Sequence, residues 1–550
     1  MTHATRAMGR FRLWIAQGAA ATVLVFVSLQ ASEVGADIER KADLVRDVQA
    51  STYRLVPDDA CRQGGPVENC SQPDTQVEPS IAVDPTDGRH AVAAFQEGRY
   101  SRGGAATNGY AVTFDGGRTW RSGHFPALTT AVGGTYDRST DPVVAFGPRG
   151  IVYAAGDAID MTNLGRTGIA FWRSHDGGRS WSNPSLIVMD HINLLPSDTT
   201  GTGVNDKGWL AVDMGTGAGH HFGRIYATWF RAGVGLPFAG YSDDEGRTWT
   251  TGPLGTGYPV APQPWPATGF PTIPLVLPNG DLAVLTNDIT PVAPLHRSAS
   301  EEVMEVTEFA QGVMSVEGRI AMYVGSGAGS LPTGAPLIFS RQYGAGVWYY
   351  AGMRQQRSDP TFSAALDPRT GRIYVAWHDY RLRTDSVHDI LLNHSDDGGL
   401  TWSYPVRVNP GPADDWVNHW GATVGVAPDG SVRIAYHQRR EAEQVAADGS
   451  TFSRRVDTIY QESDDGGQTF SKPLRVNRVD GDLGFAAASG ESEAGSHPEP
   501  FLGDYFQLAV AGRVTYIART EAVRVKVSEP ARYPPIFHHQ RLWVAVVRSG

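Results

Sequence analysis

The chain has 550 residues, with 64 glycines, 35 prolines, 10% aromatic residues and a formal net charge of −11. The negative balance excludes partners that are held mainly by phosphate neutralisation, so we expect no binding to nucleic acid. The many glycine, proline and aromatic residues, without a long helical heptad pattern, favour an all-β assembly, which can use this length as one unit.

The first segment has the pattern of an export signal. An apolar run from about Leu13 to Leu29 is preceded by three arginines and followed by small residues up to Ala36. This order predicts a secretory signal in residues 1–36. The run is also just long enough to span a bilayer, so an uncleaved anchor is the alternative. We expect a secreted or cell-envelope protein whose contact with a membrane, if any, is limited to this segment.

Two cysteines, Cys61 and Cys70, follow the leader. In an exported chain, a close pair of this kind predicts a disulfide that closes a short loop. The sequence therefore divides into the leader, a segment with a closing strand and the disulfide loop (37–76), and a main domain (77–550).

One octapeptide, which we call the box, occurs five times with the frame Ser/Thr-x-Asp-x-Gly-x-Thr/Ser-Trp/Phe. Its aspartate is suited to accept hydrogen bonds from the N–H groups of its own turn, and its fifth-position glycine to supply a positive φ. We expect the closing aromatic residue to pack back under the turn. A worn copy is predicted at Ser340–Trp348. The structural aspartates of the five boxes are Asp115, Asp176, Asp244, Asp397 and Asp465.

Ahead of the boxes runs a second repeat, in which an apolar strand, a turn and another apolar strand form a hairpin. A hairpin plus a box makes a four-stranded unit, and a ring of such units is a β-propeller. Seven units predict seven blades. The last unit is one strand short, and we predict that Ser51–Pro57 completes it, which would remove exposed edges. The hairpins are Pro79–Phe95, Pro142–Ala155, Trp209–Phe230, Pro271–Thr286, Pro360–Trp377, Gly421–Tyr436 and Tyr505–Ala518.

The box is similar to the Asp-box, or bacterial neuraminidase repeat, and residues 51–550 resemble the sialidase superfamily, most of all exported sialidase-like (exo-α-sialidase-labelled) proteins. That resemblance implies a propeller, with six blades as the alternative to seven. It also implies an arginine cluster for a substrate carboxylate, a tyrosine nucleophile with its glutamate, and an aspartate acid/base. Tyr505 and Glu521 resemble the nucleophile region, and Arg99 resembles an arginine of the first blade. The family's Arg-Ile-Pro is here Val77-Glu78-Pro79.

In a propeller, residues just before the first strand and just after the second strand of each blade converge on one face. This polar set includes Glu78, Asp157, Asp206, Lys207 and Asp504. The alternative is that these charges pair with one another and fix the order of the blades. The candidate catalytic residues are Tyr505, Glu521, Asp141, Asp359, His378 and Asp379. The candidate substrate-binding residues are Arg99, Arg138, Arg381, Arg439, His419, Trp420 and His437.

Three functions are compatible with this set. The first is a glycoside hydrolase acting at the central channel. The second is a polysaccharide lyase, in which an arginine neutralises a uronate and a histidine or Tyr505 removes a proton. The third is a propeller that binds glycan or protein without catalysis. We expect a monomer with a glycan or oligosaccharide partner. No cofactor is required and no spacing demands a metal, although the many carboxylates are compatible with calcium.

Two long segments fall between the repeats. Residues 291–332 interrupt the fourth unit, and we expect a lid, a partner surface or extra strands there. Residues 480–500, rich in Gly, Ser, Ala and Glu, are predicted to form a flexible loop.

Overall fold

The computed structural model describes residues that all belong to one compact unit, Glu39–Gly550. The predicted leader, both cysteines, residues 52–57 and Asp359 lie outside the described residues. Among the described residues, no helix is both long and apolar enough to cross a membrane. The described ranges are 42–51, 71–72, 75–100, 103–160, 165–191, 204–232, 236–254, 268–288, 314–324, 331, 337–346, 361–379, 381–384, 387–440, 455–489, 499–523 and 539–550.

The described part of the chain is all-β and contains no α-helix. Apart from three short 3₁₀ turns (Thr130–Val132, Pro148–Gly150 and Leu483–Phe485), its regular structure consists of antiparallel strands. Within it, the strands form four sheets of four strands, one of eight, one of five and a separate two-stranded hairpin, and we group them into seven units of four strands. The sheet of eight contains two of these units, which the pairing of Ala105 with Ser139 joins. The seven predicted hairpins correspond to the first two strands of these units.

The first four units contain sixteen strands. They are, in unit 1, β2 (Gln76–Val83), β3 (Ala91–Arg99), β4 (Ala105–Thr113) and β5 (Arg121–His124); in unit 2, β6 (Arg138–Phe146), β7 (Val152–Asp160), β8 (Arg166–Ser174) and β9 (Ser185–His191); in unit 3, β10 (Val204–Val212), β11 (Ile225–Ala232), β12 (Leu236–Ser242) and β13 (Thr250–Pro253); and in unit 4, β14 (Thr268–Val276), β15 (Leu282–Asp288), β16 (Met314–Val324) and β17 (Leu337–Gly346).

The other units follow in chain order, except that unit 7 also takes the first strand of the chain. They are, in unit 5, β18 (Phe362–Leu366), β19 (Ile373–Asp379), β20 (Asp389–Ser395) and β21 (Val406–Arg407); in unit 6, β22 (Val417–Val426), β23 (Val432–Arg440), β24 (Arg455–Ser463) and β25 (Leu474–Arg475), with β26 (Gly481–Asp482) also on β24; in a separate hairpin, β27 (Ala487–Ser489) and β28 (Glu499–Phe501); and in unit 7, β29 (Gln507–Ala511), β30 (Val514–Ala522), β31 (Gln540–Ser549) and β1 (Ala42–Gln49).

The fourth strand of unit 7 comes from the N-terminal part of the chain, but from a different segment than predicted. β1 pairs antiparallel with β31, from Ala42 opposite Ser549 to Gln49 opposite Trp543. The position beside β31 therefore belongs to residues 42–49, and of the predicted segment only Ser51 lies within the described residues. A buried ion pair of 2.8 Å between Asp47 and Arg519 anchors the strand, and the sequence pattern of the outer strands gave no sign of it.

Apolar clusters fill the spaces between consecutive units. Phe125 of unit 1 stacks on Trp172 of unit 2 with ring centroids 5.1 Å apart. Another cluster joins unit 7 to unit 1, with Tyr516 and Phe95 both buried in it. The clusters thus link the units in chain order and link the last unit to the first.

The box aspartates make the predicted turn contacts. Asp115 Oδ1 accepts hydrogen bonds from the backbone N–H groups of Arg118 and Thr119, each at 2.9 Å, and its Oδ2 accepts the Thr119 hydroxyl at 2.6 Å. In the same way, the hydroxyl and then the N–H of Thr401 lower the pKa of Asp397 to about 2. Each aspartate therefore stabilises its turn as a charged hydrogen-bond acceptor.

The fifth-position glycine of the box meets two requirements, of which the sequence indicated one. Gly399 has a φ of +92°, as predicted, and a Cβ added there would lie 1.7 Å from a side-chain atom of Met322 in the preceding unit. At Gly117 of unit 1, the added Cβ would lie 2.9 Å from Val546 of unit 7. In the units that carry a box, the absence of a Cβ at this glycine therefore allows close packing against the preceding unit.

The closing aromatic residues also contact the preceding unit. Trp181 lies edge-on to Phe125, with ring centroids 4.8 Å apart, and Trp249 lies edge-on to Phe171 at 5.2 Å. The predicted packing under the turn itself is seen at Trp402, whose indole N–H donates to Gly399 O at 3.0 Å.

Two expectations about segments need correction, and one is tested only in part. The worn box predicted at Ser340–Trp348 is wrong, because Ser340–Gly346 lies within β17 and pairs with β16. Of residues 291–332, Met314–Val324 form β16, the third strand of unit 4, and the others apart from Leu331 lie outside the described residues. The described part of 480–500 is not a flexible loop: it contains β26, a 3₁₀ turn and β27, which pairs with β28.

Replacing Asp465 with Asn should lower the free energy of unfolding by about 1 kcal/mol, because it weakens charge-assisted hydrogen bonds from Gln468, Thr469 and Ser463. Urea unfolding followed by tryptophan fluorescence measures the loss. Asp464→Asn is the matched control, since its position holds Phe or His in other boxes, and it should cost less than about 0.5 kcal/mol. Equal losses of unfolding free energy in the two variants would contradict the stabilising role of Asp465.

A candidate site around Lys207

The first strands of units 1, 2 and 3 share an irregularity at the same place. The pairing register shifts between Val77 and Ser80, between Thr140 and Val143, and between Asp206 and Trp209. Within these bulges Glu78, Asp141 and Lys207 have positive φ values of 52°, 46° and 52°. Positive φ in residues other than glycine costs about 1–3 kcal/mol each and is retained only where the surroundings stabilise it.

The three bulges bring their side chains to one buried point. Lys207 Nζ lies 2.8 Å from Asp141 Oδ1, 2.8 Å from Asp504 Oδ2 and 3.3 Å from Glu78 Oε1. All four residues are at most 5% exposed. One ammonium group from unit 3 therefore binds carboxylates from unit 1, unit 2 and the segment that leads into unit 7.

Two further carboxyl groups lie beside this point. Asp141, Asp157 and Asp206 each place an oxygen within 4.8 Å of the others. The backbone N–H of Lys207 donates to Asp157 Oδ2 at 3.0 Å. The cluster, which we call the Lys207 cluster, thus contains five carboxyl groups and one ammonium: Glu78, Asp141, Asp157, Asp206, Asp504 and Lys207.

Burial and mutual repulsion raise the pKa of three of these carboxyl groups. Burial, followed by the charge of Asp141, raises the pKa of Glu78 to about 8. The same two causes raise the pKa of Asp157 well above its ordinary value and raise that of Asp206. The site therefore holds carboxyl groups of raised pKa beside Asp141 and Asp504, which bind Lys207 at 2.8 Å.

Asp141, Asp157 and Asp206 are also the residues that could hold a cation. Their oxygens are of the type that calcium and magnesium prefer. Lys207 Nζ already lies 2.8 Å from Asp141 Oδ1, so a divalent ion would compete with the ammonium for that oxygen. The arrangement therefore carries no argument for a metal.

Tyr505, a predicted catalytic residue, lies beside this cluster and is partly exposed. Its ring is 5.7 Å from Lys207 Nζ, and its hydroxyl donates to Pro142 O at 3.4 Å. Burial, and then the charges of Asp141 and Glu78, raise the pKa of Tyr505 well above its usual value. This environment opposes the phenolate that a nucleophilic tyrosine would need.

Trp209 joins Tyr505 at the cluster and was not selected from the sequence. It is partly exposed, and its ring lies edge-on to the Tyr505 ring with centroids 5.4 Å apart. In the sequence, Trp209 looks like the first apolar residue of a hairpin. The one signal that could have identified the convergence is the repeated placement of Glu78-Pro79, Asp141-Pro142 and Lys207-Gly208 ahead of the hairpins.

Glu521 lies in a second buried group. Its carboxylate accepts a hydrogen bond from Arg519 Nε at 2.7 Å, and Arg519 also binds Asp47 of β1. Burial raises the pKa of Glu521 to about 7, even though Arg519 acts in the opposite direction. The structure thus places Glu521 in the contact that anchors β1, and gives it a partner other than Tyr505.

The four predicted arginines lie in four different contacts. Arg99 is buried and donates to Gln96 Oε1 at 3.0 Å, and Arg381 donates to Asp379 Oδ2 at 2.6 Å. Arg138 stacks over Tyr100 at 4.1 Å, and Arg439 lies 5.9 Å from the Trp420 ring.

The predicted histidines form a region in units 5 and 6. His378 lies edge-on to His388, with ring centroids 5.1 Å apart, and burial lowers the pKa of His378 to about 3. His419 lies 3.1 Å from His388 O, and burial lowers its pKa to about 4. The ring centroids of His437 and Phe506 lie 4.4 Å apart, and burial lowers the pKa of His437 to about 3. These imidazoles are therefore neutral at pH 7.

Two other predicted residues of units 5 and 6 are buried in the protein's own contacts. Asp379 accepts hydrogen bonds from the Trp377 indole at 2.9 Å and from Arg381. Trp420 is 5% exposed and packs with Leu483, Leu502 and their neighbours. The segment around β26–β28 thus covers the side chain that was expected to provide an open platform for a sugar.

No protein-family model and no curated protein matches the chain. Among solved structures, it is similar to a protein of unknown function from Dyadobacter fermentans, with 13% identity, a TM-score of 0.40, and coverage of 93% of this chain and 100% of that one. It is similar to a Penicillium chrysogenum α-L-arabinanase complexed with arabinobiose, with 11% identity, a TM-score of 0.39, and coverage of 91% and 98%. It is similar to a Hadza microbial sialidase, Hz136, with 12% identity, a TM-score of 0.40, and coverage of 93% and 97%. These values are too low to carry a functional argument.

Replacing Lys207 with Met should lower the free energy of unfolding by about 3–5 kcal/mol, because it leaves buried carboxylates without their counter-ion. Chemical denaturation at pH 7 measures the loss. Lys472 is exposed, and Lys472→Met, the control, should change stability by less than about 0.5 kcal/mol. A near-neutral Lys207→Met would show that the ammonium does not hold the three segments together.

Glu78 should make the protein less stable as the pH rises. Its pKa is about 8 in the fold against an ordinary value of 4.5, so the folded state binds the proton more tightly. This contribution is complete below about pH 4.5 and is lost as the pH rises through about 8. In urea titrations at pH 5, 6.5 and 8, the stability of the wild type relative to Glu78→Gln should therefore fall steadily. A difference that stays constant or rises with pH would contradict the buried, protonated Glu78.

Proposed function

We propose that this protein is an exported, glycan-active β-propeller enzyme of seven blades, closed by β1, and that it is a glycoside hydrolase acting at the Lys207 cluster. The support for the ring is the set of apolar clusters that link each unit to the next and unit 7 to unit 1. The observation that carries the activity is the presence of a protonated carboxylic acid beside an ion-paired carboxylate.

Glycoside hydrolysis needs such a pair. One carboxylic acid protonates the leaving oxygen, and one carboxylate attacks the anomeric carbon or activates water. Glu78 has the raised pKa that a general acid requires. Asp141 and Asp504 each form an ion pair with Lys207 at 2.8 Å, which makes them the candidates for the nucleophile or base.

The separation of the two groups favours a retaining mechanism. Glu78 Oε1 and Asp141 Oδ1 bind the same ammonium at 3.3 and 2.8 Å, which keeps the two oxygens within about 6 Å of each other; retaining enzymes have about 5–5.5 Å between their carboxyl groups. In the first step Glu78 gives its proton to the glycosidic oxygen, that C–O bond breaks, and Asp141 forms an ester to the sugar. In the second step Glu78 takes a proton from water, whose oxygen replaces Asp141 on the sugar.

The site gives less support to a polysaccharide lyase and to a hydrolase with a tyrosine nucleophile. A uronate lyase needs a cation that can neutralise the substrate carboxylate, but Lys207 already binds three carboxylates. A tyrosine nucleophile is disfavoured by the raised pKa of Tyr505. Binding without turnover is separated from hydrolysis by the experiment below.

Asp141→Asn and Glu78→Gln should each lower kcat/KM on an aryl glycoside substrate by about 10²–10⁴-fold, because each removes one member of the acid and nucleophile pair. Release of the aryl alcohol from a panel of glycosides identifies the substrate and gives the rates. Circular dichroism and thermal unfolding verify that the variants are folded. Asp464→Asn, in the box that follows β24, is the control and should keep wild-type activity. Full activity in a folded Asp141→Asn would place the chemistry elsewhere.

A further inference from the structure

We infer that the Lys207 cluster accepts a sugar that carries no carboxylate, sulfate or phosphate, and therefore that the substrate class is neutral glycans or glycans of amino sugars. The inference rests on the proposed function and specifies its substrate. It differs from the acidic sugar that the resemblance to the sialidase superfamily implies.

The first argument is the balance of charge. Five carboxyl groups surround one ammonium, and Lys207 is bound at 2.8, 2.8 and 3.3 Å by three of them. Protonation of the groups with raised pKa removes negative charge but adds no positive charge. Among the described residues, the ammonium at this point is that of Lys207, and it is already paired, so an anionic sugar would be desolvated beside carboxyl groups at a high free-energy cost.

The second argument is the position of the arginines that could have bound an acid. Arg381 is held by Asp379, and Arg519 by Asp47 and Glu521. Gln96 links Arg99 to Glu78, because its amide donates to Glu78 and its oxygen accepts from Arg99 at 3.0 Å. Bidentate recognition of a substrate carboxylate needs a guanidinium directed at the site, and the contacts of these three direct them at groups of the protein.

The third argument is the surface that remains for a ligand. Trp209 and Tyr505 are partly exposed, whereas Glu78, Asp141 and Asp504 of the cluster beside Tyr505 are buried. Aromatic rings bind the apolar C–H faces of sugars, and carboxylates accept hydrogen bonds from hydroxyl or ammonium groups. The two kinds of group together suit a neutral or amino sugar.

The test compares p-nitrophenyl glycosides of neutral sugars and of glucosamine with p-nitrophenyl glucuronide and an aryl sialoside, all assayed with the full protein. Turnover of neutral or amino-sugar glycosides, with at least tenfold lower kcat/KM on the anionic ones, is the expected result. Efficient hydrolysis of the glucuronide or the sialoside would overturn the inference and leave the proposed hydrolase standing.

A charge-changing variant adds a second measurement. Asp504→Asn is isosteric and removes one of the three carboxylates bound to Lys207. It should raise kcat/KM on anionic glycosides relative to neutral ones at least tenfold. Asp464→Asn changes the net charge equally, lies in a box and should leave the ratio unchanged. An unchanged ratio in a folded Asp504→Asn would overturn the inference.

Binding separates the inference from catalysis. Calorimetric titration with neutral, amino-sugar and uronic-acid oligosaccharides, repeated with Trp209→Ala, measures occupancy of the site without turnover. Binding of neutral or amino sugars, lost in Trp209→Ala, supports the inference even if nothing is hydrolysed, and that combination would refute the proposed hydrolase. Preferential binding of uronic acids at the site would overturn the inference, and no binding to any glycan would overturn both.

Discussion

The ammonium group of Lys207 is the contact on which the inner part of this structure depends. It binds carboxylates from two other units and from the segment that leads into unit 7, and all of these residues are buried. Burying so many charges is costly, and an ion pair of this kind seldom adds net stability compared with apolar packing. A buried contact of this kind favours one arrangement of the units, the one that brings three carboxyl groups to the same ammonium.

The boxes stabilise their turns and the contacts between neighbouring units through a different set of residues. Each box holds its turn through a charged aspartate, and its glycine approaches the preceding unit too closely for a Cβ, as at Gly399 and Met322. Hydrogen bonds and close packing of this kind are repeated and independent of one another. The loss of one box therefore weakens one contact between units, whereas the loss of Lys207 affects several units at once.

The sequence predicted the all-β class, the seven hairpins and the aspartate contacts of the boxes, because these depend on local patterns that repeat along the chain. It did not predict the strand β1 or the contact of the box glycines with neighbouring units, because both depend on residues far apart in sequence. Asp141 and Tyr505 were selected as catalytic candidates, and Lys207 as a member of the polar set. Their convergence could not be predicted, since it requires the positive φ of Glu78, Asp141 and Lys207. Charge pairing was the alternative to a functional site, and Lys207 shows pairing at the site itself.

The pairing of charges and the proposed chemistry are compatible because the cluster is asymmetric. If its only task were to hold the units together, one carboxylate for each ammonium would be enough, and the surplus would weaken the fold. The structure instead retains Asp157 and Asp206 beside Asp141, and burial followed by the charge of Asp141 raises the pKa of both. Acids of raised pKa beside two partly exposed aromatic rings are costly for stability but useful for proton transfer to a sugar. We therefore assign Lys207 to the fold, and Glu78 and Asp141 to the proposed chemistry.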